Sequence, residues 1–327
     1  MTAVPLLADR FQALADPTRL RVLALLRLME LSVGELAHIL GQSQPRVSRH
    51  LKILADAGAL DRRKEGSWVF LTLADPERLE SLFVLIDEWV DEGTRKLFQT
   101  DAARTEAIRA DRAEAANRYF AGHASVWDQI RSLHVAESEV ERAIDAALSD
   151  RPLGRLVDIG TGTGRMIELF GPRSTHAIGI DRSSEMLRLA RVKLEAAGIH
   201  SSLRQGDMYA LPLADGSAES IIIHQVLHYA HSPAAAINEA ARVLDTGGTL
   251  LVIDFAAHEC EELRATDAHI RLGFEDDVMA GWFHSAGLEI DQVRHLEGGE
   301  LTVTLWRGSK PAATGAEGLR VRQRRAA

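Results

Sequence analysis

In the first quarter of the chain, apolar positions recur at helical spacing in short bursts, each opened by a residue suited to cap a helix. Asp16-Pro17 stands before Leu20, Val22, Leu23, Leu25 and Leu26, an N-cap and a first-turn proline in front of an apolar stripe. Ser32 opens a second helix over 33–40, Gly41-Gln42 makes a turn, and Ser43 opens a third over 44–57 with Leu51 and Leu54 on its core side. Gly58 stops that helix, and residues 60–73 read as a hairpin with a charged tip around Gly66. From Pro76 to about Arg118 the helical period returns, with Leu79, Leu82, Phe83, Leu85, Ile86, Trp89, Val90 and Leu97 as its apolar face. After Thr100 the composition turns to alanine, arginine and acids, which predicts an exposed helical connector.

The second part of the chain has a different rhythm. A helix is expected over about 135–148, and short apolar runs at 156–159, 177–180, 202–205, 220–224 and 249–255 alternate with helical patterns. This is the order of a parallel sheet with right-handed crossovers. Two later runs, 287–290 and 301–306, flank Gly298-Gly299. At 327 residues the chain suits two domains. The expected division is a helix-and-hairpin domain over 1–75, a helical dimerisation or connector segment over 76–118, an α/β domain over 119–308 and a disordered tail over 309–327. The arginines of that tail, Arg320, Arg322, Arg324 and Arg325, add nonspecific DNA affinity in this reading.

Charge sharpens the first half. The net charge of −9 excludes a uniformly basic nucleic-acid binder, yet from Gln42 to Lys64 six basic residues face two acidic ones. Phosphate contacts act locally, so a cationic patch on an acidic chain is enough. Two helices joined by a turn and followed by a basic hairpin form a winged helix-turn-helix. Ser43, Gln44, Arg46, Ser48, Arg49, His50 and Lys52 would then meet base edges and phosphates, and Arg62, Arg63 and Lys64 on the wing would add contacts. The stretches Ala13-Leu14-Ala15-Asp16-Pro17-Thr18-Arg19-Leu20-Arg21-Val22-Leu23 and Ser43-Gln44-Pro45-Arg46-Val47-Ser48-Arg49-His50-Leu51-Lys52-Ile53-Leu54 resemble the ArsR/SmtB group of bacterial repressors. That resemblance implies a double-stranded DNA operator and a homodimer held by terminal helices. Many members sense metal through cysteines before the turn; here the segment is Leu31-Ser32-Val33-Gly34-Glu35-Leu36, without a thiolate.

The candidate chemistry lies in the second half. Leu156-Val157-Asp158-Ile159-Gly160-Thr161-Gly162-Thr163-Gly164-Arg165 runs from strand to turn to helix, with glycines that let backbone pass close under a ligand. A dinucleotide fingerprint would place its third glycine at Arg165, so nothing here requires pyrophosphate. Asp181 closes the next apolar run, where a carboxylate accepts both hydroxyls of a ribose, and Gly206-Asp207-Met208 suits an adenine amino group and ring face. These segments, with Ser184-Glu185-Met186-Leu187, His224-Gln225-Val226-Leu227-His228 and Ala241-Arg242-Val243-Leu244-Asp245-Thr246-Gly247-Gly248, resemble the class I S-adenosylmethionine-dependent methyltransferases. The branch is that of the small-molecule enzymes, including the ubiquinone and menaquinone methyltransferases. The resemblance implies a Rossmann-like fold with a seven-stranded sheet whose last pair is antiparallel, and S-adenosylmethionine or S-adenosylhomocysteine as ligand. It places the ligand on Asp158, Gly160, Thr161, Gly162, Gly164, Asp181, Arg182, Met186, Gly206, Asp207, Met208, His224 and Gln225, with Tyr119 folding over it.

A sulfonium donor is already electrophilic, so transfer to a small-molecule acceptor needs positioning first and a base only where the nucleophile must lose a proton. Among His224, His228 and His231, beyond the fourth strand, His228 ranks first as that base. His258, Glu259, Cys260, Glu262, His269 and Arg271 follow the fifth strand as polar lining or helix surface, and their spacing matches no compact metal motif, so no metal is expected. The single cysteine, Cys260, rules out an intramolecular disulfide framework. A short apolar opening before Asp9-Arg10 and the lack of any uncharged apolar run near ~18 residues point to a cytoplasmic protein without a membrane partner. Two functions stay open: a regulator that senses the donor or its product, and a working small-molecule methyltransferase that carries a regulatory winged helix.

Overall fold

The computed structural model describes residues 7–65, 68–123, 136–298 and 301–311. The chain divides into two compact units, Met1–Ala116 with Glu259–Thr266, and Asn117–His258 with Asp267–Ala327. Among the described residues no helix is long and apolar enough to cross a membrane.

In the first unit the expected side-chain caps form at Asp16 and Ser32, whereas Ser43 precedes its helix without a side-chain cap bond. Helix α1 (Leu7–Leu14) leads to α2 (Pro17–Leu28), where the Asp16 carboxylate accepts the Arg19 N–H at 3.0 Å. Ser32 closes the two-residue strand β1 (Leu31–Ser32) and caps α3 (Val33–Leu40) in a reciprocal box with Glu35. Gly41 turns the chain in the left-handed region and α4 (Gln44–Asp56) follows. Strands β2 (Leu60–Glu65) and β3 (Trp68–Leu73) form the wing in antiparallel register from Leu60↔Leu73 to Glu65↔Trp68. Its tip at Gly66 lies outside the described residues. Val22, Leu25, Leu36, Ile39, Val47, Leu51, Leu54 and Leu71 close one core among these elements.

Helices α5 (Pro76–Trp89) and α6 (Glu92–His123) follow, and the exposure expected after Thr100 holds at most described positions but not at two. Asp101 and Thr105 are buried. Arg21 of α2 grips the Asp101 carboxylate with two bonds of 2.6 and 2.8 Å, and Arg104 donates to the Ile39 carbonyl at 2.7 Å. Local composition predicted solvent because the partner stands eighty residues earlier.

The second unit is a seven-stranded sheet covered by helices. Helix α7 (Glu137–Ala147) precedes β4 (Arg155–Ile159), α8 (Arg165–Phe170), β5 (His176–Asp181), α9 (Ser184–Ala196) and β6 (Ser202–Gln205). Then come β7 (Ala218–His224), α10 (Pro233–Val243), β8 (Leu244–Phe255), α11 (Asp276–Ser285), β9 (Glu289–Gly298) and β10 (Leu301–Ser309). The strand order is β6-β5-β4-β7-β8-β10-β9. Pairings from β6 to β8 are parallel, and β10 runs antiparallel to both its neighbours. Strand β8 begins before its apolar run, because a register shift lets β7 pair Ala218 with Leu244 and Ser220 with Thr249. The residues 245–248, which the sequence placed in a turn, are thus drawn into the strand. Chain order reverses between β4 and β7, and an open sheet of this kind binds its ligand beyond the carboxyl ends at such a point. The predicted disordered tail lies outside the described residues beyond 311.

Candidate functional site

The Gly-rich turn sits at that switch point. Gly160, Gly162 and Gly164 all have positive φ, at 72, 53 and 84°. At Gly160 a side chain is also excluded by space, since a Cβ would overlap the methyl groups of Val226. The turn is tied to the neighbouring strand: Gly160 and Thr161 donate their N–H groups to the Ile180 carbonyl at 2.7 and 3.0 Å. Buried Asp158 accepts the Thr161 hydroxyl at 2.6 Å, supporting the turn from below. Asp181, at the end of β5, accepts the Gly162 N–H on one oxygen and the Ser183 N–H on the other, each at 2.8 Å. Burial pushes its carboxyl above the usual aspartate range, against the pull of those N–H donors. A carboxylate has about four acceptor sites, so two bonds leave room for ligand hydroxyls.

Arg182, Gly206, Asp207, Met208, His224 and Gln225 stand at or just beyond the carboxyl ends of β5, β6 and β7. Asp207 accepts the Tyr209 N–H at 3.0 Å, and Tyr209 packs on His231 with ring centroids 4.3 Å apart. Burial raises the Tyr209 phenol to about 12, so it stays protonated. Met186 is buried in α9, while Arg182 is exposed and uses its carbonyl to accept from Gln205 at 3.0 Å. His224 ends β7 and is buried. Gln225, with φ at 51°, turns the chain out of the strand, an uncommon conformation for a residue with a Cβ and one that clusters at functional sites. Tyr119 stands on α6, its side chain outside the described set.

His228 follows on a short turn, Leu227–Tyr229. Its Nδ1 lies 2.7 Å from Asp254 Oδ1, and its backbone N–H reaches Oδ2 at 3.3 Å. Both side chains are buried, and Phe255 N–H also donates to Asp254 at 2.8 Å. Sequence pattern missed Asp254, which sits inside an apolar strand; the signal available was a lone carboxylate in Leu250-Leu251-Val252-Ile253-Asp254-Phe255, too costly to bury without a partner. The polar group expected after the fifth strand is divided: Glu259, Cys260 and Glu262 belong to the first unit, and His258, His269 and Arg271 to the second. Among the described residues no group of three or more His, Cys, Asp or Glu is placed to hold a metal.

On α4, Val47, Leu51 and Leu54 are buried while Ser43, Gln44, Arg46, Arg49 and Lys52 stand in solvent, with Ser48 half-covered. Arg62 and Lys64 are exposed on the wing. Two predicted DNA residues are engaged elsewhere. Arg63 bonds Glu30 at 2.8 Å and lies over the Phe70 ring, because strand alternation turns it away from Arg62 and Lys64. His50 faces inward, 3.5 Å from the Asp16 carboxylate at the start of α2. Ile53, which the sequence reading passed over, is 42% exposed on the same side as Arg46 and Arg49.

The profile of the bacterial regulatory protein arsR family matches residues 16–61, and that of the methyltransferase domain family matches residues 157–252. An HTH-type transcriptional regulator of Methanocaldococcus jannaschii is 40% identical over 82 residues, which cover 25% of this chain and 91% of that protein. The chain belongs to both families. Its methyltransferase half is 35% identical over 116 residues to demethylmenaquinone methyltransferase of Thermus thermophilus, covering 35% of this chain and spanning about half, 52%, of that enzyme. The solved YcgJ protein of Bacillus subtilis overlays 54% of this chain and 100% of its own, with 18% identity and a TM-score of 0.46. Helix α4 thus lies within the arsR match, and the Gly-rich turn, Asp181 and His228 lie within the methyltransferase match, which ends two residues before Asp254.

Proposed function

We propose that this chain is a DNA-binding transcriptional regulator whose methyltransferase domain binds S-adenosylmethionine or S-adenosylhomocysteine as effector. The observation that carries the regulatory half is α4: its apolar side is wholly committed to the core, so Gln44, Arg46, Arg49 and Lys52 are left for a nucleic acid. Arg62 and Lys64 would add phosphate contacts from the wing. Supporting the effector half, Asp181 keeps acceptor capacity for ribose hydroxyls beside glycines that leave space for a ligand, with Gly206, Asp207 and Met208 on the adenine side. The regulator works as a homodimer on paired half-sites, in the cytoplasm where its operator is.

The test is fluorescence anisotropy of labelled DNA from upstream of the protein's own gene, at fixed salt, without ligand and with each of the two ligands at saturation. Specific binding altered by one ligand supports the proposal. Specific binding indifferent to both removes the effector role. A second reading, methyl transfer to a small molecule, is favoured by one observation, the buried His228–Asp254 pair beyond the carboxyl end of β7. When bound, S-adenosylmethionine supplies an electrophilic methyl group; the chain's part is to hold it and manage the acceptor's proton.

A further inference from the structure

The segment Glu259–Thr266 belongs to the first compact unit, although the chain enters it from His258 and leaves it at Asp267, both in the second. Its own bonds shape it. Glu262–Thr266 is a single helical turn, and the Arg264 guanidinium donates to Glu261, three residues back, at 3.1 Å. Thus oriented, Arg264 lies over the Trp68 ring of β3, 5.2 Å from its centroid, with its side chain only 12% exposed. Trp68 stacks on buried Phe70 at 5.8 Å, and Arg63, bonded to Glu30, lies over Phe70. A guanidinium on an aromatic face is an oriented contact that strengthens as water is excluded. Trp68, Phe70 and Arg63 share one face of the wing, because the register sets Arg63 opposite Phe70 and Trp68 stands two residues from it. Arg62 and Lys64 alternate onto the other face and stay exposed, so the segment grips the wing without covering them.

Both ends of the segment are rooted at the carboxyl end of the sheet, where an open sheet takes its ligand. On the entering side, just after β8, Ala257 and His258 donate their N–H groups to the Phe274 and Leu272 carbonyls at 3.1 and 2.9 Å. On the leaving side, Ile270 and Arg271 donate to the His228 carbonyl at 3.0 and 2.9 Å, on the turn that follows Gln225. Ala268 stands between the segment and this second root, with φ at 55°. Among the described residues only Gln225 and Ala268 carry a Cβ at positive φ, and such strain clusters at ligand clamps and switches. We infer that residues 259–266 are a strap that transmits occupancy of the ligand crevice to the wing, with Arg264 on Trp68 as its grip. The inference rests on the regulatory reading above, in which an adenosyl ligand is the effector. A ligand on His224 and Gln225 bears on the turn whose carbonyl anchors the strap, and the short rooted chain passes that displacement to Arg264. The strap carries coupling to the extent that its grip differs between the DNA-competent and DNA-incompetent states.

The experiment has two arms on the full-length protein. In the first, anisotropy of the upstream DNA at fixed salt, with and without saturating S-adenosylmethionine or S-adenosylhomocysteine, gives a coupling factor for wild type, Arg264→Ala, Trp68→Leu and the double variant. Each single substitution should lower the factor by about two- to fivefold, the size of one partly exposed cation–π contact, and the double variant no further than either alone. An unchanged factor in Arg264→Ala, or losses that add in the double variant, overturns the inference. Because the factor is a ratio, a general loss of DNA affinity does not imitate this result. The second arm needs no DNA: hydrogen exchange read by mass spectrometry, with and without each ligand. Protection should change over residues 259–266 and 68–73 in the wild type, and over 259–266 alone in Arg264→Ala. Wing amides that respond equally in both proteins, or a strap that ignores a bound ligand in the wild type, overturn the inference. Failure of the reading beneath it looks different: calorimetry detects neither ligand binding, or the wild-type factor is one for both, and the regulatory reading falls together with the strap.

Discussion

Asp181 concentrates two opposing demands on one carboxylate. Burial favours its neutral form, raising its pKa, while the ribose hydroxyls of the proposed ligand would favour the anion. For the free protein, a raised carboxyl contributes stability that is fully present below the ordinary aspartate range and is lost as pH climbs through the raised value. Ligand affinity runs the other way, and calorimetry of S-adenosylmethionine binding should show it falling on acidification from a pH above that ordinary range. Asp181→Asn should bind weakly at every pH with the dependence gone; an unchanged profile would place the acidic group elsewhere. A neighbouring pair of arginines separates roles that the sequence merged. Arg63→Ala leaves nearly buried Glu30 without its 2.8 Å partner and should cost about 1–3 kcal/mol in denaturant unfolding. Arg62→Ala should leave stability alone and lower the salt slope of DNA binding by about one. The basic run Arg62-Arg63-Lys64 was legible as a wing, but the assignment of its middle member was not: Glu30 lies in the connection between α2 and β1, and only the register of β2 against β3 shows which side chain turns inward.

Elements were legible where signals are local. Asp16-Pro17, Ser32 and Gly41 each act within a few residues, and α2, α3 and α4 begin and turn where those residues predict. The Gly-rich turn and the strand end at Asp181 were equally plain, since loop chemistry and strand period coincide there. Legibility failed where a distant partner decides: β8 lengthens because β7 shifts register to meet it, and α6 is anchored through Arg21. That anchor carries its own expectation. Asp101 is 2% exposed and holds both arms of the Arg21 guanidinium, so Asp101→Ala strands a cation against the core of the first unit. Removing one partner of a buried pair costs about 3–5 kcal/mol. Thermal unfolding of the variant should show that unit melting early while the methyltransferase domain melts as before; an unshifted first transition would mean that solvent screens the pair despite its burial.

At the scale of the whole molecule, two families in one chain make a regulator only if the sites share free energy. A ligand that binds both DNA-competent and DNA-incompetent states equally shifts nothing, and moving the balance from 1:99 to 99:1 takes about 5.5 kcal/mol of preference. S-adenosylmethionine and S-adenosylhomocysteine differ by a methyl group and a positive charge, so a domain that discriminates them electrostatically can report the methylation state of the cell. Coupling of this kind is reciprocal: whatever factor the ligand imposes on operator affinity, the operator must impose on ligand affinity. Calorimetric titration of each ligand into the protein, alone and saturated with operator duplex, therefore measures the same quantity as the anisotropy experiment from the opposite side. Equal factors, of about 5–150-fold for ordinary allosteric couplings, are expected for the effector and a factor near one for the other ligand. Were ligand affinity to ignore the operator, the exposed face of α4 and the Asp181 site would be independent devices, and the methyl-transfer reading built on His228 and Asp254 would stand alone as the function of the second unit.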